Sequence, residues 1–281
     1  DRTRFIMPVH IGGRPANMTA LTALAEVHSL KLIEDAAQAH GAAWEGKGAG
    51  AWGGLGTFSF QSSKNLNCGE GGFVATDSEE LYYRALSYHN CGRVPAGAWY
   101  QHDNYGQNLR LSQLQAAVLL GQLSRLPKQF ATRQSNWELL MKLLARVPGI
   151  SLEQDDPRVT RHAHHLFIIR LDPSHFEGLT KAQVSQALFA EGVPFSPGYS
   201  TPIYREPWML RYAKDKAVAA LARPEALAYE AYCLPEVEAA CTWNIWTFQK
   251  MLLGTAAQMQ GIADAVTKVA TNVEALHKHF A

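Results

Sequence analysis

The sequence predicts an α/β fold with a large, mostly parallel sheet domain followed by a smaller α+β lobe. Strand-like and helix-like stretches alternate through residues 5–60 at strand–helix–strand spacing, and the texture of the chain changes at Pro148. In a parallel sheet of this kind, ligands collect beyond the carboxyl ends of the strands.

The elements follow in order. Phe5-Ile6-Met7-Pro8-Val9-His10 forms a short apolar strand, ended by Gly12-Gly13. Residues 17–29 place Met18, Leu21, Leu24, Ala25 and His28 on one helical face, with Asn17 as N-cap. Leu30 to Ile33 is the next strand and runs into Glu34-Asp35; after a glycine-rich connection at 46–54, Leu55 to Phe60 is the third. Ser78 to Tyr88 reads as a helix, and residues 111–146 as a long one in which Pro127 marks a kink or break. Beyond Pro148 come a strand (His165 to Leu171), a helix (Lys181 to Ala190), a Pro/Tyr-rich loop at 197–207 and closing helices near 235–242 and 255–278. The expected division is residues 1–125 for the large domain and 126–281 for the linking helix and small domain.

Bulk composition excludes several classes of function. The 281 residues are 47% hydrophobic, too apolar for a disordered chain, and 26 Lys plus Arg nearly balance 25 Asp plus Glu without a like-charge block. That balance argues against nucleic-acid and membrane-surface partners and leaves small molecules and protein partners. No apolar run reaches membrane-spanning length. Cys68, Cys91, Cys233 and Cys241 lack metal-site spacing, so free thiols in a cytoplasmic protein are expected and no metal is.

Two residues carry chemistry by position. Asp35, at a strand end between Leu32-Ile33 and Ala36-Ala37, is partly desolvated; it either caps a helix, joins a structural ion pair, or faces a cationic ligand such as a pyridinium nitrogen. Lys64 follows the polar turn Gln61-Ser62-Ser63 and precedes Gly69-Glu70-Gly71-Gly72. It is either a solvated loop lysine or, if buried beside an aldehyde-bearing cofactor, a nucleophile and proton carrier.

Taken together, Glu34-Asp35-Ala36-Ala37-Gln38-Ala39-His40-Gly41, Thr57 to Leu66 around Lys64, Gly69 to Gly72, and Gly106-Gln107-Asn108-Leu109-Arg110 leading into a long helix resemble the DegT/StrS family of sugar and cyclitol aminotransferases. The resemblance covers essentially the whole chain. It implies the aspartate-aminotransferase fold (fold type I) and pyridoxal 5'-phosphate (PLP) as cofactor. It further implies that Asp35 bonds the pyridinium nitrogen, that Gln38 lies near the phenolic oxygen, and that Ser59 holds the phosphate. The same resemblance implies that Lys64 forms the internal aldimine and shuttles protons, and that Asn108 reaches the phosphate of a neighbouring subunit's cofactor in a homodimer. Arg110 either supports that loop or forms a structural salt bridge. A lysine at 64, where a dehydrating branch has histidine, implies transamination.

Family members carry a long segment before the strand at 4–10. Here the chain starts at Asp1, so a partial chain is expected, with the large domain lacking its N-terminal part. The loop Pro197-Gly198-Tyr199-Ser200-Thr201-Pro202-Ile203-Tyr204-Arg205 resembles the cyclitol branch, implying glutamine or glutamate as donor and a keto-cyclitol or keto-sugar as acceptor in antibiotic or polysaccharide biosynthesis. Tyr199, Tyr204, Arg205 and His165 are the candidates for substrate contact; loop packing and a half-buried strand residue are the respective alternatives. A nucleotide-sugar aminotransferase and a catalytically silent PLP-fold binding protein remain as other functions.

Overall fold

The computed structural model describes residues 3–215 and 227–281. Their chain forms two compact units. The first holds the residues up to Trp137, then Asp155–Phe167 and Gln249–Leu253; the second holds Glu138–Gln154, Ile168–Phe248 and Gly254–Ala281.

The first unit is built on a four-stranded sheet, in the order β1 (Phe5–Ile6), β2 (Lys31–Asp35), β5 (Leu55–Ser59), β6 (Gly72–Ala75). β1, β2 and β5 are parallel and β6 is antiparallel to β5, with Ser59 opposite Gly72. The mostly parallel sheet is therefore the predicted one. β1 is shorter than expected because Pro8 has no N–H for the ladder; pairing resumes as a single bridge between Val9 and Asp35. The glycine-rich connection contains a small hairpin, β3 (Ala43–Trp44) with β4 (Lys47–Gly48), that the sequence did not signal.

Helix α1 (Met18–Val27) is capped as predicted, the Ala20 N–H donating to Asn17 Oδ1 at 3.1 Å. Met18 and Ala25 pack with Leu32 and Trp44 to form one core. Leu24 and His28 are exposed, since Leu24 lies to one side of the Met18–Ala25 stripe and His28 is already the C-cap. After α2 (Glu79–His89), the long helix α3 (Gln113–Leu144) runs through Pro127 without interruption. Pro127 is exposed, so water can meet the carbonyl that loses its bond there.

The second unit has a three-stranded sheet, β7 (Ile150–Leu152), β8 (Leu166–Leu171) and β9 (Asn244–Phe248). α4 (Lys181–Ala190), α5 (Pro207–Ala213) and α6 (Pro235–Trp243) precede β9. The closing helical stretch breaks at Asn272 into α7 (Ala256–Thr271) and α8 (Val273–Phe280). α7 buries Met259, Ile262, Ala263, Val266, Val269 and Ala270, the spacing of one helical stripe.

Candidate active site

The first two site residues arrive where parallel-strand chemistry puts them. Asp35 ends β2 opposite Thr57, and Ser59 ends the adjacent β5 two residues on, both at the carboxyl edge of the sheet; the chain then turns through Gln61 to Lys64. Gln61 organises that turn. Its carbonyl accepts from the Lys64 N–H at 2.9 Å, and its side-chain oxygen accepts from the Ser63 N–H at 2.8 Å and the Ser63 hydroxyl at 2.7 Å. Ser59 Oγ accepts from the Gln61 N–H at 3.2 Å, which leaves its own proton to donate.

Glu34, one residue before Asp35, is fully buried and accepts four hydrogen bonds: from the N–H groups of Gly50, Trp52 and Gly53 at 2.6–2.7 Å, and from His10 Nε2 at 3.0 Å. His10 Nδ1 accepts from the Ala16 N–H, so its ring proton sits on Nε2 and points at the carboxylate. Burial alone would raise the Glu34 pKa, but these donors together outweigh it and hold the carboxyl below its ordinary range. Asp35 Oδ1 accepts from the Ala37 N–H at 3.1 Å, the capping contact that position allows, and its charge favours the protonated form of Lys64.

Lys64 is half-buried. Desolvation pulls its pKa below the ordinary lysine value despite the opposing pull of Asp35. Two histidines share its surroundings. Burial, then the Lys64 charge, push His40 down to about 4, with the Ser59 backbone opposing; burial, Lys64, His40 and Arg133 push His165 down to about 3. Both rings are neutral at neutral pH. His40 lies between Phe58 and Phe60, and neither of its buried nitrogens makes a well-directed hydrogen bond.

His165 comes from a distant segment that crosses the loop after β1. Its N–H donates to the Gly12 carbonyl, and the Ala163 N–H donates to that of Gly13, each at 2.9 Å. Gly13 has φ +93°, and a Cβ there would sit 2.9 Å from the His165 nitrogen, so only glycine lets the two segments approach. Gln38 Oε1 accepts from the Gly12 N–H at 2.7 Å and so braces the same loop. Asn65 ties His165 to Lys64's own turn: its Nδ2 donates to the Ala163 carbonyl at 2.6 Å, which directs Oδ1 to His165 Nδ1 at 2.8 Å. His165 therefore carries its proton on Nδ1 and keeps a lone pair on Nε2.

The structure thus gathers Asp35, Gln38, Ser59, Lys64 and His165 in one unit. It adds His40, Asn65 and Glu34, none of which was assigned a role from sequence. Asn108 belongs to the same unit but lies on an exposed bridge with Asn90, lining a largely apolar groove of about 890 Å³ with Phe58, Phe60 and Phe73. Arg110 donates to Asn90 Oδ1 at 2.8 Å, which supports that loop without a carboxylate partner among the described residues. Tyr199, Tyr204 and Arg205 lie in the second unit. Tyr199 is exposed, its ring edge-on to Trp246. Tyr204 is buried; its hydroxyl donates to Glu238 at 2.6 Å and accepts from the Leu234 N–H, while Arg205 pairs with the same carboxylate at 2.8 Å.

Comparison with known proteins identifies the family and the fold. The profile of the DegT/DnrJ/EryC1/StrS aminotransferase family matches residues 1–245. An L-glutamine:2-deoxy-scyllo-inosose aminotransferase of Streptomyces lividus is 37% identical, over 96% of this chain and 65% of its own length. A 3-amino-5-hydroxybenzoate synthase of Amycolatopsis mediterranei is 36% identical, over 95% and 68%. The crystal structure of a 3-amino-5-hydroxybenzoic acid synthase superposes with a TM-score of 0.80 at 32% identity, covering 96% of this chain and 68% of that one. The chain spans about two thirds of the length of these relatives. Among the described residues no helix is long and apolar enough to cross a membrane.

Proposed function

The chain belongs to the DegT/DnrJ/EryC1/StrS aminotransferase family, and from that premise we propose that it moves an amino group from glutamine or glutamate to a keto-cyclitol or keto-sugar, with PLP as cofactor and Lys64 as the catalytic lysine. One observation carries the proposal. A carboxylate and an amine of lowered pKa, Asp35 and Lys64, stand within electrostatic reach of each other at the carboxyl ends of adjacent parallel strands, beside two neutral histidines.

These residues fit the cofactor. Asp35 supplies the negative charge that keeps a ring nitrogen protonated, and Ser59 retains a hydroxyl proton for a phosphate oxygen. His40 presents two buried nitrogens, neither of which makes a well-directed hydrogen bond to the described chain. Gln38 anchors the neighbouring loop through its oxygen, and its amide nitrogen makes no hydrogen bond among the described residues, which supports a role in donating to a phenolic oxygen. When bound, PLP supplies an electron sink for the pair released at the carbon bearing the nitrogen.

The protein's part is to manage protons and charge. With its pKa lowered, a larger share of Lys64 is free amine at neutral pH, the form that would hold an aldehyde-bearing cofactor covalently and, once displaced from it by the donor's amine, would accept and return a proton at Nζ. His40 and His165, held neutral, add no positive charge that would oppose reprotonation of that amine. Asn108 is exposed and its side chain makes no hydrogen bond among the described residues; in this proposal it serves the cofactor of a second copy in a homodimer.

The test follows nitrogen. With PLP and α-amino-labelled [15N]glutamine, label is expected in the amine formed from a scyllo-inosose-type ketone, amide-labelled glutamine should leave that amine unlabelled, and Lys64→Ala should abolish transfer. Preference for a nucleotide-linked keto-sugar would replace the acceptor. Bound PLP without transfer to any ketone would reduce the chain to a binding protein.

A further inference from the structure

We infer that Gln249, held by the buried cation Arg133, is a positioning residue for Lys64: it closes a ring of hydrogen bonds whose members are Ser63, Lys64, Asn65, His165 and Gln249 itself. This rests on the assignment of Lys64 above, and every residue named belongs to the first unit.

The ring is read bond by bond. Arg133, 2% exposed, donates from Nε at 3.0 Å and from Nη2 at 2.5 Å to Gln249 Oε1, with a marginal contact to Gln129 at 3.5 Å. Guanidinium has only donors, so the Gln249 amide can present only its oxygen to Arg133 and its nitrogen must face away. That nitrogen donates to the Ser63 carbonyl at 3.4 Å, and the Gln249 backbone N–H donates to the His165 carbonyl at 2.9 Å. On the other side of Lys64, Asn65 bonds His165 Nδ1 at 2.8 Å. Ser63, Lys64 and Asn65 are covalently joined, so the circuit is complete. Ser63 enters the ring only through its carbonyl and Lys64 only through its backbone, so the Lys64 side chain is left free of it.

Arg133 has no carboxylate partner among the described residues, and burial draws its pKa down to about 10. A buried cation bonded chiefly to one amide oxygen is a costly arrangement for packing alone. Here it fixes the rotamer of that amide, and with it the bond to the residue before Lys64. The 3.4 Å bond is long and individually weak; the ring acts because the backbone bond to His165 and the Asn65 link restrain the same turn from two other directions.

Loss of the ring would let Lys64 relax toward water. The test uses the full chain without cofactor, so that a failure of aminotransferase activity leaves it intact. Competitive acetylation of Lys64 across pH, read by mass spectrometry, gives the titration midpoint of its amine, and hydrogen exchange reports order in residues 61–67. Gln249→Met keeps the length of a half-buried side chain, and Arg133→Met replaces a buried cation with an apolar chain of similar reach, a change proteins commonly accept. In both variants the Lys64 midpoint should rise toward the ordinary lysine value, and exchange across 61–67 should quicken about tenfold. In the loaded enzyme kcat should fall while KM for glutamine holds. A purely structural role would lower thermal stability and leave the midpoint in place; a wild-type midpoint and wild-type exchange in either folded variant overturns the inference.

Discussion

Asn65 and His165, one hundred positions apart, are joined by a 2.8 Å hydrogen bond that fixes both the tautomer of the imidazole and the direction of the turn carrying Lys64. Because Asn65 also donates to the Ala163 carbonyl, this one side chain satisfies two buried groups on the crossing segment. Asn65→Leu leaves a donor and an acceptor unpaired. We expect a loss of ~2–4 kcal/mol in urea denaturation, and a fall in transamination of folded enzyme. Unchanged stability would show that water replaces both contacts.

His40 makes the fold acid-sensitive. Its folded pKa of about 4 lies below its ordinary 6.5, so between those values the unfolded chain binds a proton that the native chain refuses. Stability is therefore complete above pH 6.5 and is lost as pH falls toward 4, at up to ~1.4 kcal/mol per pH unit for one site. His165, at about 3, acts in the same direction. His40→Phe should flatten the pH dependence of the urea midpoint in this window by about one proton. An unaltered slope would place the missing proton elsewhere.

Glu34→Gln should be more damaging than its near-identical shape suggests. An amide has one acceptor oxygen, and its NH2 group would face N–H donors from Gly50, Trp52, Gly53 or His10. A cost of roughly 3–5 kcal/mol is expected, measured by chemical denaturation. The connection at 46–54 should then exchange its amide protons faster than α1.

Tyr204→Phe removes a hydroxyl that serves Glu238 and the Leu234 N–H. We expect a loss of ~1–3 kcal/mol in denaturant. Arg205 still pairs with Glu238 in the variant, so the carboxylate is not left alone. A stability equal to wild type would show that the hydroxyl is held less tightly than its 2.6 Å bond indicates.

Much of this architecture was legible in the sequence, and what escaped did so for physical reasons. Apolar runs ending in Asp35 and Ser59 announced parallel strands, and Asn17 announced a helix start, because local preference and tertiary packing agree there. β6 did not announce itself: Gly72–Ala75 begins with glycine and is mostly exposed, so it has no alternation to read. β9 follows α6 directly, so the end of the helix pattern masks the start of the strand. The motif around Lys64 named the lysine but not its restraints. Asn65 was an unremarked neighbour, and Gln249 meets Ser63 across 186 positions with no local pattern to link them.

That separation bears on how the protein is made. The unit that contains Lys64 draws on residues as late as Leu253, so it cannot finish folding while the ribosome is still adding the strand before Gln249. Bringing the two ends of so long a loop together is entropically slow. A nascent chain carries the lysine early and its fixed geometry late, so interrupted synthesis yields fragments that bear the amine but not the setting that tunes it.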